Sequence, residues 1–214
     1  MVHHFSFDTD SISGEYLDRE TVNKDLTRLS HSLTILSNDS IGYTVLPFKA
    51  NGKTKKTFEI LIYHKSSLNK LLSEKSEFFL RRGIIPGDNI EKILALYEFE
   101  DKYDRFKAYG HLFGYPDHAV DFFVESAKHQ DNGGEFVTRD FYQIPVANGQ
   151  EGRFVYAVPK DYEAKEIDET LKSTAGILLF RFQQDWEAYE EKTQPNQSFT
   201  NLNFLFFLAG QERN

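Results

Sequence analysis

Val22, Leu26, Leu29, Leu33 and Leu36 recur every three or four residues. That is the period of one helix face, and it predicts an amphipathic helix over residues 15–37. Ser37-Asn38-Asp39-Ser40 stops it. Residues 41–50 and 55–64 then turn β-branched and aromatic, with Phe58, Ile60 and Ile62 alternating, on either side of Asn51-Gly52. Asn-Gly supplies the positive φ angles of a tight hairpin turn, so a hairpin over 41–64 is expected.

Helical periodicity returns over about 66–82, 88–112 and 116–130, with Ser66 and Asp88 as expected N-caps and Gly83 as an expected C-cap. Gly114 closes the second of these patterns and Pro116 is placed to open the third. Within 116–130, His118, Asp121, Glu125 and His129 fall on one stripe, and Val120, Phe123, Val124 and Ala127 on the opposite face. Phe123 is expected to be buried.

A second hairpin is expected over 135–158, closed by Asn148-Gly149-Gln150-Glu151. Phe154–Val158 carries apolar residues on both faces, which reads as a central strand covered on both sides. After Pro159 the stripe Ile167, Leu171, Ala175, Leu178, Phe182, Trp186 and Tyr189 predicts helix over 161–193. Periodicity alone leaves 176–182 open between helix and strand. The apolar run Leu202–Ala209 is expected to dock on the core.

These elements predict an α+β fold, with helices packed on an antiparallel sheet built from the two hairpins. One four-stranded sheet buries more edge than two separate ribbons, so a single domain over 1–214 is preferred. A chain of 214 residues is long enough to bury a substantial core. With 20 Phe and 11 Tyr against 1 Met, that core is packed from rings.

Charge and cysteine content remove several functional classes. The net charge of −8 repels phosphate backbones, so general nucleic-acid binding is not expected. The compact basic run Lys53-Thr54-Lys55-Lys56 reads as decoration of a hairpin turn. With no cysteine there is no disulfide, no thiolate nucleophile and no Cys-ligated metal. The first residues show no basic and apolar leader, and no segment reaches the roughly 20 apolar residues needed to span a bilayer. A soluble, cytoplasmic protein with no membrane partner is the resulting expectation.

Gly-x-Ser-x-Gly, Walker A and Gly-x-Gly-x-x-Gly are all missing. Tyr156-Ala-Val-Pro-Lys160 matches the Tyr-x-x-x-Lys spacing of short-chain dehydrogenases. Pro159 breaks the helix that chemistry requires, so the match is rejected. His64 reads as a half-buried strand residue, and His3 and His4 as part of a frayed terminus. Asp131-Asn132-Gly133-Gly134 reads as a turn. Arg139 and Arg153, on partner strands, could bind an anion.

The candidate site lies around the Gly114-Tyr115-Pro116 crossover. If helices 88–112 and 116–130 fold back on one another, His111, Tyr115, His118, Asp121 and Glu125 form a ligand-binding cluster. Asp101, Asp104, His111, His118 and Asp121 are then the candidate ligands for a divalent metal. No organic cofactor is evident. The spacing matches neither HExxH nor Glu-x-x-His. The expected function is therefore a binding or accessory protein for a small molecule or another protein, working through that helix pair. The alternative is a metal-assisted hydrolase using Asp101, Asp104, His111, His118, Asp121 and Glu125.

Overall fold

The computed structural model describes residues 2–47, 54–147 and 152–192. The chain has the expected α+β character and divides into two compact units, Met1–Leu112 and Phe113–Asn214, within the stretch read from the sequence as one domain. Asn51-Gly52, Asn148–Glu151 and Leu202–Ala209 lie outside the described residues. No helix among those described is long and apolar enough to cross a membrane.

In the first unit, strand β1 (Val2–Asp8), helix α1 (Arg19–Leu36), strand β2 (Ile41–Pro47) and strand β3 (Lys55–His64) come first along the chain. The three strands form an antiparallel sheet in the order β1-β3-β2. The N-terminus is thus a paired strand rather than a frayed end, with His3 opposite Ile60 and His4 opposite Glu59. Its signal is the alternation of Phe5 and Phe7. Phe5 sits directly across from Phe58, and the two rings stack 5.4 Å apart.

The two hairpins do not share one sheet, and β1, not the second hairpin, fills the other edge of β3. The second hairpin forms its own two-stranded sheet. α1 meets the face that Tyr43 shares with Phe58 and Ile60, where the Thr34 and Tyr43 hydroxyls lie 2.8 Å apart. It starts later than expected, at Asp18, whose carboxylate accepts the Thr21 N–H.

The opposite face, through Leu61, meets the core of the unit: Leu72, Phe79, Ile84, Ile93, Leu94, Tyr97 and Ala108. The expected helix 66–82 is two helices, α2 (Lys65–Glu74) and α3 (Ser76–Leu80), broken at Lys75. His64, not Ser66, occupies the N-cap position. It is exposed, and its Nδ1 lies 3.0 Å from the Ser66 hydroxyl. Gly83 takes the left-handed conformation expected of it (φ 67°), and the Ile84 N–H reaches back to the Phe79 carbonyl.

The expected helix 88–112 is likewise two, α4 (Ile90–Glu98) and α5 (Lys102–Leu112). Two local bonds account for its ends. Asn89, rather than Asp88, accepts the Lys92 N–H at the start of α4, and Asp101 accepts the Tyr103 N–H at the start of α5.

The second unit contains helix α6 (Asp117–Asp131), strands β4 (Arg139–Pro145) and β5 (Arg153–Pro159), and helix α7 (Glu166–Lys192). Residues 176–182 are helical. Pro116 is the N-cap of α6, and Gly133 (φ 82°) ends it within the expected 131–134 turn. β4 and β5 pair with Tyr142 opposite Tyr156 and Ile144 opposite Phe154. These residues share one face, which packs with Ala119 of α6 and with Leu171 and Ala175 of α7.

β5 is not covered on both sides as expected. It pairs with β4 alone in a two-stranded sheet and so is not a central strand; Val155 and Ala157, on its outer face, are half-buried, and Phe141 beside them on β4 is 59% exposed. Phe123 is also not buried: it is 41% exposed. The buried arc of α6 is carried by the smaller Ala119, Val120 and Val124, and the larger Phe123 ring extends to its margin.

Candidate functional site

Pro159 ends β5, and the chain turns through Lys160 and Asp161 into the start of α7. Asp161 adopts φ 58°, the left-handed region that aspartate tolerates better than most side chains. Asp140 holds this turn: it accepts the Asp161 N–H at 2.9 Å and pairs with Lys160 at 2.9 Å. The turn delivers Tyr162 to the inner face of the unit, and three residues later Lys165 caps α7.

Asp168 stands at the third position of α7 and accepts the Lys165 N–H at 2.8 Å, which is half of a capping box. It is wholly buried. Its other partners come from three parts of the unit. Tyr156 of β5 donates to Oδ1 at 2.5 Å, and Tyr162 donates to Oδ2 at 2.5 Å. His118, in the first turn of α6, places Nε2 3.2 Å from Oδ1.

Nε2 also lies 2.9 Å from the Tyr162 oxygen. Because Tyr162 gives its proton to the carboxylate, Nε2 must carry the hydrogen in that contact. The His118 ring stacks on Tyr162, and its side chain is 16% exposed. Tyr115 stacks on Phe154 at 4.6 Å, and Tyr142 stacks on Tyr156 while donating to Glu169 at 3.0 Å.

Burial alone would raise the Asp168 pKa. The hydrogen bonds from Tyr156, Tyr162 and the Lys165 backbone, with the nearby His118, more than offset it and hold the carboxyl below its ordinary value. The tyrosines move the other way. Burial, then hydrogen bonding to Asp168, pushes Tyr162 up to about 12 and Tyr156 higher still. The cluster therefore holds one carboxylate and two neutral phenols at neutral pH. Its chemical capacity is an aromatic-walled carboxylate with a partly exposed imidazole at its edge.

The residues anticipated from the sequence are distributed between the two units. His111 is 5% exposed within the first, and its ring meets Phe78 edge-on at 5.7 Å. Asp101 caps α5, and Asp104 accepts from Arg82, which also forks onto Glu100. In the second unit, His118 reaches Asp168 and Tyr115 reaches Phe154, while Asp121 and Glu125 are exposed and Glu125 pairs with Lys128 at 3.0 Å. His129 is exposed at the end of the same helix. Among the described residues, no three His, Asp or Glu side chains are grouped so as to hold a metal ion.

Arg139 and Arg153 stand at opposite ends of their ribbon, opposite Pro159 and Pro145, and form no joint anion site. Their partner-strand placement suggested proximity, but the antiparallel register separates them by the ribbon's whole length.

Tyr156, Tyr162 and Asp168 were not singled out for this role from the sequence. Tyr156 appeared only in the rejected Tyr-x-x-x-Lys match, and the structure places it on a strand while Lys160 binds Asp140. The available signal was the acidic third position after a helix start, which marks a capping box but not its other partners. No protein-family model matches this chain, and no curated protein or solved structure is detectably similar to it.

Proposed function

We propose that this chain is a soluble, cytoplasmic binding or accessory protein. In this reading, segments 88–112 and 116–130 supply its working surfaces, one in each unit. The observation that supports binding over turnover is the saturation of Asp168. The only wholly buried carboxylate among the described residues accepts from Tyr156, Tyr162 and Lys165 and lies against His118. A carboxylate that serves as base or nucleophile must have an oxygen to offer the reacting group. Here each oxygen is engaged by the protein's own donors, an arrangement suited to holding α6, β5 and α7 in register.

The ligand-facing groups of the second unit are then His118, Tyr115 and the exposed Asp121 and Glu125, carried on a face that the Asp168 network makes rigid. Two measurements on the full chain test this. Amide resonances followed during a small-molecule fragment screen should respond along 115–125. Chromogenic ester and phosphate substrates supplied with Zn²⁺, Mn²⁺ or Mg²⁺ should show no rate above background. Metal-dependent turnover that His118→Ala abolishes would overturn the reading in favour of a hydrolase.

A further inference from the structure

α7 is packed against its unit along one side and carries a second organised face on the other. Leu171 and Ala175 pack on the ribbon, and at about 100° per residue Phe182 and Tyr189 fall on the same helix side. Ile177 and Phe180 lie roughly 150° from its centre. They are 54% and 60% exposed, and Leu178, on the same side as Leu171, is 59% exposed, so the middle of the helix is apolar and uncovered on both sides. A helix that is apolar on its outer side as well as its inner side needs something to cover it.

The same outer stripe carries Glu166 before the apolar pair and Glu187 and Glu191 after it, all exposed. Only Ser173 and Gln184 intervene, and Arg181 stands to one side. Glu187 lies about 10 Å beyond the apolar pair along the axis, and Glu166 and Glu191 stand about 16 Å from it, one at each end.

That symmetry decides the occupant. A second copy laid parallel sets Glu166 against Glu166. Laid antiparallel, with Ile177 on Phe180, it sets Glu166 against Glu191. Like charges meet at both ends in either direction, which opposes self-pairing. An apolar centre between two acidic ends instead complements an amphipathic helix with Lys or Arg two to three turns on either side of its own apolar residues.

We infer that the outer face of α7 docks a basic amphipathic helix of a partner protein. This surface is separate from the His118 neighbourhood, so either assignment can fail without the other.

The test uses the full chain and two labelled twenty-residue peptides. One places leucines at helical three-and-four spacing with lysines at both ends, and the other replaces every lysine with glutamate. Fluorescence anisotropy should show binding of the lysine peptide only, weakening as salt is raised. Phe180→Ser should weaken it at least about tenfold, and Glu187→Lys should weaken it and flatten its salt dependence. Phe141→Ser, equally exposed but on β4, should leave it unchanged. Equal binding of both peptides, or binding indifferent to Phe180→Ser, overturns the proposal. So does failure of the full chain to bind, whether a second copy or the chain's own residues cover the face. Sedimentation of wild type and Phe180→Ser identifies the second-copy case.

Discussion

Tyr162 lies nearly parallel to the His118 ring, 5.4 Å between centroids and 16° between planes, while its hydroxyl stands 2.9 Å from His118 Nε2 and donates to Asp168. One side chain therefore serves both the imidazole and the buried carboxylate. Tyr162→Phe keeps the stack and removes both polar contacts. The expected cost is about 1.5–3 kcal/mol, the range for a hydrogen bond to a charged group. Denaturant unfolding of the two proteins measures it, and a loss below about 0.5 kcal/mol would mean that Asp168 is held without Tyr162.

Asp168 links folding to acid. Its folded pKa lies below the unfolded value of 3.8, so the unfolded chain binds the proton more readily. The stabilisation is fully present above that unfolded value and is lost as pH falls below it toward the folded pKa. Asp168→Asn should lower stability at pH 7 by about 1.5–3 kcal/mol and should flatten the acid limb of the stability profile. The difference between the two proteins should shrink as pH drops below about 3.8. A variant that loses the same amount at every pH would place the effect in packing rather than in the charge.

How far the sequence discloses this site depends on the range of each interaction. Local signals were readable: the 41–64 strand pair, the Gly83 and Gly133 helix ends and the Pro116 start all depend on a few adjacent residues. Where local chemistry went unread, the expectation failed. Asp101 splits the expected 88–112 pattern because it caps a second helix that apolar periodicity runs straight through, and Asn89 takes the cap expected of Asp88. His118 was chosen because it shares a stripe with Asp121, Glu125 and His129. Only His118, in the first turn, is near Tyr162, and its partner Asp168 is 50 residues away in sequence with no pattern joining them. Phe5 and Phe7 predict a strand only once Phe58 is known to lie opposite.

The tyrosines should report the packing of both units. Burial first, and then hydrogen bonds to carboxylates where they exist, raise Tyr63, Tyr97, Tyr109, Tyr115, Tyr142, Tyr156 and Tyr162 above the ordinary value of 10.0, with Tyr97 and Tyr142 at about 12. A raised folded pKa contributes stability that is fully present below pH 10 and lost as pH rises toward the folded value. Phenolate absorbance should therefore lag well behind the full count of 11 tyrosines at pH 11. The remainder should appear together with loss of the far-ultraviolet helical signal. Smooth ionisation of all tyrosines near pH 10 in a still-folded protein would contradict the buried hydroxyls.

Gly42 and Tyr63 make the sharpest test of the first unit's sheet. They are direct partners across β2 and β3, and a Cβ at position 42 would stand 2.5 Å from the Tyr63 Cζ and 2.6 Å from its hydroxyl oxygen. Glycine is needed here because the ring crosses the neighbouring strand, not because of backbone conformation. Tyr63 packs against the core that includes Leu61 and Leu72, so displacing its ring disturbs more than the strand edge. Gly42→Ala should cost about 1–3 kcal/mol, the range for overpacking a fitted site. The cause separates from any general effect of alanine in a strand by repeating the substitution in a Tyr63→Leu background. Leucine lacks the reaching ring, so the alanine should cost markedly less there, a coupling expected of residues in contact. Equal costs in the two backgrounds would show that the Tyr63 ring does not cover Gly42 and that the β2–β3 register is displaced.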